Sequence, residues 1–202
     1  MSADGLPFGP LDAGCVHLCV DMQRLFGDGS PWATPWMKRV LPNVRRIVEK
    51  RPSATIFTRF LPVEHAGDGV GTWRRYYERW SSVTLQVIGP EMIELLPELA
   101  CFAPPAQVID KRVYSPWTEG RLENLLAGSR VHTLVITGTE TDICVLAAAL
   151  GAIDRGYRVV LVTDALCSSS DEAHDALMTF YHQRLSQQVE TADTETVLSN
   201  WT

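Results

Sequence analysis

Hydrophobic positions along this chain fall into two kinds of segment that alternate. Short, largely β-branched apolar runs occur at Cys15-Val16-His17-Leu18-Cys19-Val20, Ala54-Thr55-Ile56-Phe57-Thr58, Gln107-Val108-Ile109-Asp110, His132-Thr133-Leu134-Val135-Ile136 and Tyr157-Arg158-Val159-Val160-Leu161-Val162. Their length and make-up predict buried strands, and a sixth, shorter one is expected near Gln188-Val189-Glu190. Between them lie segments of helical spacing. Over 36–50 the apolar positions are Met37, Val40, Leu41, Val44, Ile47 and Val48; Pro42 sets the helix start close to itself or kinks the helix. Further helices are expected over 92–99, broken by Pro97, and over 118–127, with Thr118 as cap and Gly128 as stop. Two more are expected over 146–155, closed by Gly156, and from Ser170 or Asp171 to Gln183; a helical turn near 194–198 closes the chain. Strands and helices in this order predict an α/β fold: a three-layer α/β/α, Rossmann-like, mostly parallel six-stranded sheet with helices on both faces. Such sheets bind ligands beyond the carboxyl ends of their strands.

Two stretches stand outside the alternation. Residues 1–13, rich in Gly, Pro and Asp, read as a loose lead-in to a single domain over 14–202. The stretch 60–90 is the least regular, and within it Thr72-Trp73-Arg74-Arg75-Tyr76-Tyr77-Glu78-Arg79-Trp80 packs four aromatics and three arginines into nine residues. It reads either as a short helix docking its aromatic face or as a cover over a pocket. Its arginines suggest a small, polar, planar or anionic ligand.

Composition narrows the function classes. The 202 residues are 46% hydrophobic and 21% charged, with a formal net charge of −6. That balance argues against a nucleic-acid partner or a protein held to anionic membrane by charge. No apolar run reaches the length of a membrane span, and Met1-Ser2-Ala3-Asp4-Gly5 lacks the regions of a signal peptide, so a cytoplasmic location is expected. The five cysteines (15, 19, 101, 144 and 167) include no CxxC pair, which fits reduced thiols better than a disulfide framework or a zinc site.

Candidate chemistry gathers at the predicted strand ends. Thr139 or Thr141 can cap the helix that follows the fourth strand, placing Cys144 in its first turn, where unpaired N–H groups and the positive dipole end favour a thiolate. A free cysteine is otherwise a small buried hydrophobe, and Asp21 or Lys111 taken singly is a turn former or a solvated charge. Together, Asp21 after the first strand, Lys111 after the third and Cys144 after the fourth bring a carboxylate, a cation and a thiol to one rim. That set suits acyl transfer through a cysteine nucleophile. Cys167 is the rival thiol, without a matching motif.

These residues carry a resemblance. Val20-Asp21-Met22-Gln23 with Phe26, Lys111-Arg112-Val113-Tyr114-Ser115-Pro116-Trp117, Gly138-Thr139-Glu140-Thr141-Asp142-Ile143-Cys144-Val145 and Val162-Thr163-Asp164-Ala165 resemble the isochorismatase-like cysteine hydrolase superfamily over roughly residues 15–190. That group includes nicotinamidases, N-carbamoylsarcosine amidohydrolases and ureide or biuret hydrolases. The resemblance implies a catalytic triad of Asp21, Lys111 and Cys144, a cis peptide between Thr139 and Glu140, and an oxyanion hole of the Glu140 and Cys144 N–H groups. It also implies a homo-oligomer, a dimer or tetramer, and a reaction without a cofactor. Nicotinamidases carry a metal-binding Asp-x-His after the second strand; here Thr58-Arg59-Phe60-Leu61-Pro62-Val63-Glu64-His65 lacks it, so no metal is expected and nicotinamide is disfavoured. Members that cleave isochorismate lack the cysteine, and Cys144 therefore points to C–N cleavage of a small amide, carbamoyl or ureide substrate. Gln23, Phe26, Arg59, Trp73, Tyr76 and Trp117 are candidate substrate-binding residues; for Arg59 a structural salt bridge is an equal reading, and Glu140 either bonds within its loop or meets a substrate amino group. The competing functions are a catalytically idle binder of the same fold and a thiol redox sensor using Cys144 and Cys167.

Overall fold

A computed structural model describes residues 5–202. Its six strands are β1 (Cys15–Val20), β2 (Thr55–Phe60), β3 (Gln107–Lys111), β4 (Thr133–Thr139), β5 (Arg158–Cys167) and β6 (Val189–Ala192). They form one sheet in the order β3-β2-β1-β4-β5-β6, and every neighbouring pair is parallel. The helices are α1 (Met37–Lys50), α2 (Thr72–Arg79), α3 (Leu85–Ile88), α4 (Pro97–Ala100), α5 (Arg121–Leu126), α6 (Cys144–Asp154), α7 (Asp171–Arg184) and α8 (Thr194–Asn200).

The period-two alternation of the strands divides the interior in two. Cys15 and Cys19 of β1, Phe57, Val135 and Val160 pack with Val40, Val44 and Ile47 of α1 and Val197 of α8. Leu18 and Val20 of β1, Ile56, Leu134, Ile136 and Leu161 pack on the opposite face with Val145 and Ala148 of α6, Leu122 of α5 and Tyr181 of α7. The expected three layers are therefore present, and strands buried on both faces explain why the apolar runs are nearly continuous.

Several boundaries differ from expectation, each for a local reason. Helix α1, Met37–Lys50, matches the expected 36–50 and departs only in holding Pro42 inside it rather than near its start. The helix expected over 118–127 is confined to Arg121–Leu126: Gly120, at φ 70°, takes the N-cap in place of Thr118. The expected helix over 92–99 is two separate turns, Pro90–Ile93 and α4. Between them, Arg24 N–H donates to Glu94 O and Leu96 N–H to Met22 O, which latches this segment to the loop after β1. Strand β5 runs on to Cys167 through a register shift opposite Ile136 and Gly138. Asp164 within that bulge accepts from Thr194 N and Oγ1 at 2.8 and 2.7 Å, so it fastens the start of α8. The described part of the lead-in, 5–13, is held to the body: Leu6 and Leu11 are buried, Leu11 bridges Trp201, and Arg158 donates to the Gly9 and Pro10 carbonyls. The first four residues of that stretch lie outside the described range. Among the described residues, no helix is long and apolar enough to cross a membrane.

One glycine fixes how the two central strands meet beneath the rim. Gly138 has φ 111°, and a Cβ there would stand 2.0 Å from the Val20 carbonyl oxygen. Backbone cannot yield to that contact as a flexible side chain would. Gly138→Ala is expected to yield insoluble protein or a loss of at least about 3 kcal/mol, read by urea unfolding of whatever soluble fraction is recovered.

Candidate active site

Three side chains meet at the carboxyl edge of the sheet. Asp21 follows directly on β1 with φ 50°, and its N–H donates to the Thr58 carbonyl and hydroxyl oxygens at 3.2 and 3.1 Å. The Thr58 hydroxyl in turn donates to Asp21 Oδ1 at 2.5 Å. Lys111 closes β3, two strands from β1, and its long stem crosses the end of β2, with Nζ 5.1 Å from the centre of the Phe60 ring. That ammonium donates to Asp21 Oδ2 at 2.7 Å, to Cys144 Sγ at 3.3 Å and to Val113 O at 3.3 Å. Its three donors are thereby all used. Asp21 and Lys111 are fully buried, and Cys144 is 6% exposed.

Cys144 is the first residue of α6, so its N–H has no partner within the helix. Ile143 takes the N-cap position without a side-chain bond, and the threonines expected there work elsewhere: the Thr139 and Thr141 hydroxyls both donate to the Cys167 carbonyl. The Thr139–Glu140 peptide is cis. Burial pushes the Cys144 thiol well above its ordinary range; Lys111 pulls it down, and Asp21, which hydrogen-bonds it, pushes it up again. Desolvation thus works against the thiolate that the helix end and the lysine favour. Burial also lowers the Lys111 pKa, but Asp21 and Cys144 more than offset that and leave it raised.

A cavity of about 240 Å³ opens onto this cluster. Cys144, Glu140, Ile143 and Ser169 line one side; Phe26, Trp32, Phe60, Tyr76, Trp80 and Tyr114 line the rest, with Pro31 and Ala33. Of the expected substrate contacts, Phe26 and Tyr76 are in this lining and four others are not. Gln23 is fully buried: its Oε1 accepts from Phe60 N at 2.6 Å, and its Nε2 donates to Phe60 O and Ile93 O at 3.1 and 2.7 Å. It is a fastener between loop and strand, and Gln23→Ala should lower stability by about 2–4 kcal/mol, read by thermal or chemical unfolding, because it orphans three backbone groups. Arg59 is held by Asp110, bidentately at 2.8 and 3.1 Å, and by Glu94 at 2.8 Å, so its structural reading prevails. Trp117 is buried, donates from Nε1 to Ala148 O at 3.0 Å and packs under α6. Trp73 stands behind the wall, its ring 5.1 Å from that of Tyr76.

The segment 72–80 forms α2 and its C-cap, and it supplies Tyr76 and Trp80 to the cavity while Tyr77 is buried. Its arginines are exposed and do not line the cavity, which removes the basis for an anionic ligand. Trp32 and Tyr114 carried no such role in the sequence. Trp32 sits in a loop whose glycine turns mask its direction, and Tyr114 follows Lys111 closely enough to share its rim.

The remaining candidates lie apart. Cys167 is buried with Sγ 3.8 Å from Thr34 Oγ1, and burial pushes its thiol up to about 11. Among the described residues, Asp12, Cys15 and His132 are grouped closely enough to hold a metal. They sit at the amino ends of β1 and β4, about 20 Å from Asp21 at roughly 3.3 Å per strand residue. His65 is exposed and paired with Asp68.

A model of the isochorismatase domain matches residues 15–193. Nicotinamidase 3 of Arabidopsis thaliana is 26% identical over 80% of this chain and 77% of its own length. A probable inactive nicotinamidase of the same plant is 29% identical over 79% of this chain and 83% of its own. Among solved structures, a cysteine hydrolase from Pseudomonas syringae pv. phaseolicola 1448A superposes with a TM-score of 0.83 at 18% identity, covering 99% of this chain and 98% of that one. The likeness extends the shared fold over nearly the whole chain.

Proposed function

The chain belongs to the isochorismatase family, and from that premise we propose that it is a cysteine amidohydrolase cleaving a C–N bond of a small amide, carbamoyl or ureide compound. The observation that carries this reading is the single buried contact in which Lys111 bonds Asp21 at 2.7 Å and Cys144 at 3.3 Å beside a cavity that Cys144 lines.

Because burial works against a standing thiolate, a base beside the sulfur helps to make the nucleophile. Asp21 takes the Sγ proton as sulfur attacks the substrate carbonyl carbon, and Lys111 stabilises the charge passing between them. The carbonyl electron pair moves onto oxygen, where the N–H groups of Glu140 and Cys144 receive it. Collapse restores the carbonyl and breaks the C–N bond, and Asp21 returns its proton to the departing nitrogen. Water then gives a proton to Asp21 and attacks the thioester. The second collapse breaks the C–S bond, the sulfur regains the proton, and an acid is released. The balance is one amide and one water to one acid and one ammonia or amine.

The first test is ammonia release from a panel of small amides, ureides and carbamoyl compounds, with chelator in a parallel series. Release that needs Cys144 and survives chelation supports the reading. No release from any compound, with Cys144 inert to a mild alkylating reagent, favours an idle binder. The thiol-sensor alternative has less support, since the Cys167 thiol faces Thr34 in the core.

A further inference from the structure

The cavity's lining speaks to the charge of what enters it. Trp32 is its hub: its ring lies 6.1 Å from Phe26, 6.0 Å from Phe60, 6.0 Å from Tyr76 and 6.2 Å from Trp80, at angles from 19° to 76°. All five rings line the cavity, and each aromatic face is the negative part of a quadrupole. Among the lining residues, Glu140 carries the one formally charged side chain outside the thiol itself. Its Oε1 accepts from the Ser169 N–H at 3.2 Å, and no ion pair with a described residue engages it. Burial raises its pKa against the lowering by Ser169; Asp142 and Asp21 add to the rise, and no cation among the lining residues compensates the carboxylate. The two catalytic charges nearby, Lys111 and Asp21, neutralise each other at 2.7 Å and leave Glu140 to set the sign.

Building on the amidohydrolase reading, we propose that the substrate is a small amide or ureide bearing an ammonium or methylated ammonium group, seated in the aromatic box with its cation facing Glu140. Aromatic cages are the usual answer to a quaternary ammonium, and a carboxylate at the cage adds charge pairing that an anion would find repulsive. Size agrees. A cavity of about 240 Å³ lies below the range of pockets for drug-sized ligands, which suits a compact substrate. Pairing Glu140 with such a cation also relieves the one desolvated charge that the free site leaves exposed to its own burial.

Three probes separate the possibilities: betaine amide, its uncharged isostere tert-butylacetamide, and the smaller, anionic malonamate. The expected result is a kcat/KM for betaine amide at least about 30-fold above that for tert-butylacetamide, with malonamate slowest. Glu140→Gln should reduce that ratio by about tenfold, and Trp80→Leu, away from the reacting atoms, by about threefold. The ratio is the readout because loss of general activity does not move it. Equal or better turnover of tert-butylacetamide would overturn the cationic class while leaving the amidohydrolase reading in place. Should none of the three be hydrolysed, tryptophan-fluorescence titration of the unmodified protein decides: tighter binding of betaine amide than of the isostere supports the class and counts against the hydrolase reading, and equal binding or none sinks the class.

Discussion

Replacing Cys144 with alanine should lower amide hydrolysis at least about 10,000-fold while leaving the fold in place. In the proposed mechanism the sulfur is the atom that bonds to the substrate, so its loss removes the covalent route rather than one contribution to it. Oxyanion donors and the binding box survive, which sets the residual rate above that of the uncatalysed reaction. The structural cost is small. Lys111 keeps its bonds to Asp21 and Val113 O, and α6 loses one buried atom from its first turn, a cost of about 1 kcal/mol. Steady-state ammonia release and a thermal melt on the same preparation check both halves. A variant that melts normally and retains a tenth of the activity would mean that the nucleophile is elsewhere.

Lys111→Met should damage both stability and rate. Removing the ammonium leaves the Asp21 carboxylate fully buried, with the Thr58 hydroxyl, the Cys144 thiol and the local backbone as its remaining neighbours. Breaking a buried pair from one side costs about 3–5 kcal/mol, because the surviving charge loses its compensation without regaining water. For a domain of this size that is a fall in melting temperature of roughly 6–20 °C. Activity should fall at least about 1,000-fold, since the lysine also stabilises charge moving between Asp21 and Cys144. The double variant Asp21→Asn with Lys111→Met separates the two effects. With both charges gone, most of the stability should return and the activity should not. Additive losses in the double variant would show that the two side chains do not act as a pair.

The fold was legible because β1, β2, β4 and most of β5 are buried on both faces, which writes β-branched apolar runs that survive any uncertainty at their ends. The three-residue cluster was legible for a related reason: parallel strands send Asp21, Lys111 and Cys144 to the same edge whatever their neighbours do. What the pattern could not show was direction. Gln23 and Phe26 are three residues apart in one loop, yet the first points into the backbone between β2 and the Pro90–Ile93 turn and the second into the cavity. Arg59 and Trp117 share strand ends and motifs with site residues, but Asp110 and the Ala148 carbonyl claim them. Those partners lie far off in sequence or one layer away. Trp32, the centre of the box, stands in a loop without periodicity, and only the meeting of five rings reveals it. Glu140 shows the same limit. Its place after Thr139 was clear, and its meaning follows from the aromatic surroundings that leave it the only lining carboxylate.

The thiol changes most between sequence and structure. A cysteine in a helix's first turn beside a lysine has the outline of a preformed thiolate, and its burial reverses that balance. In the proposed mechanism that gives a division of labour in which Asp21 is the base and Lys111 holds the pair together.

The most direct measurement is the intact mass of the protein quenched in acid within the first turnovers on a substrate that releases ammonia, followed by peptide mapping. The account predicts a transient mass increase equal to the acyl part of the substrate, located on Cys144 and absent from Cys144→Ala. Turnover without any such adduct, continuing at a comparable rate in Cys144→Ala, would contradict it.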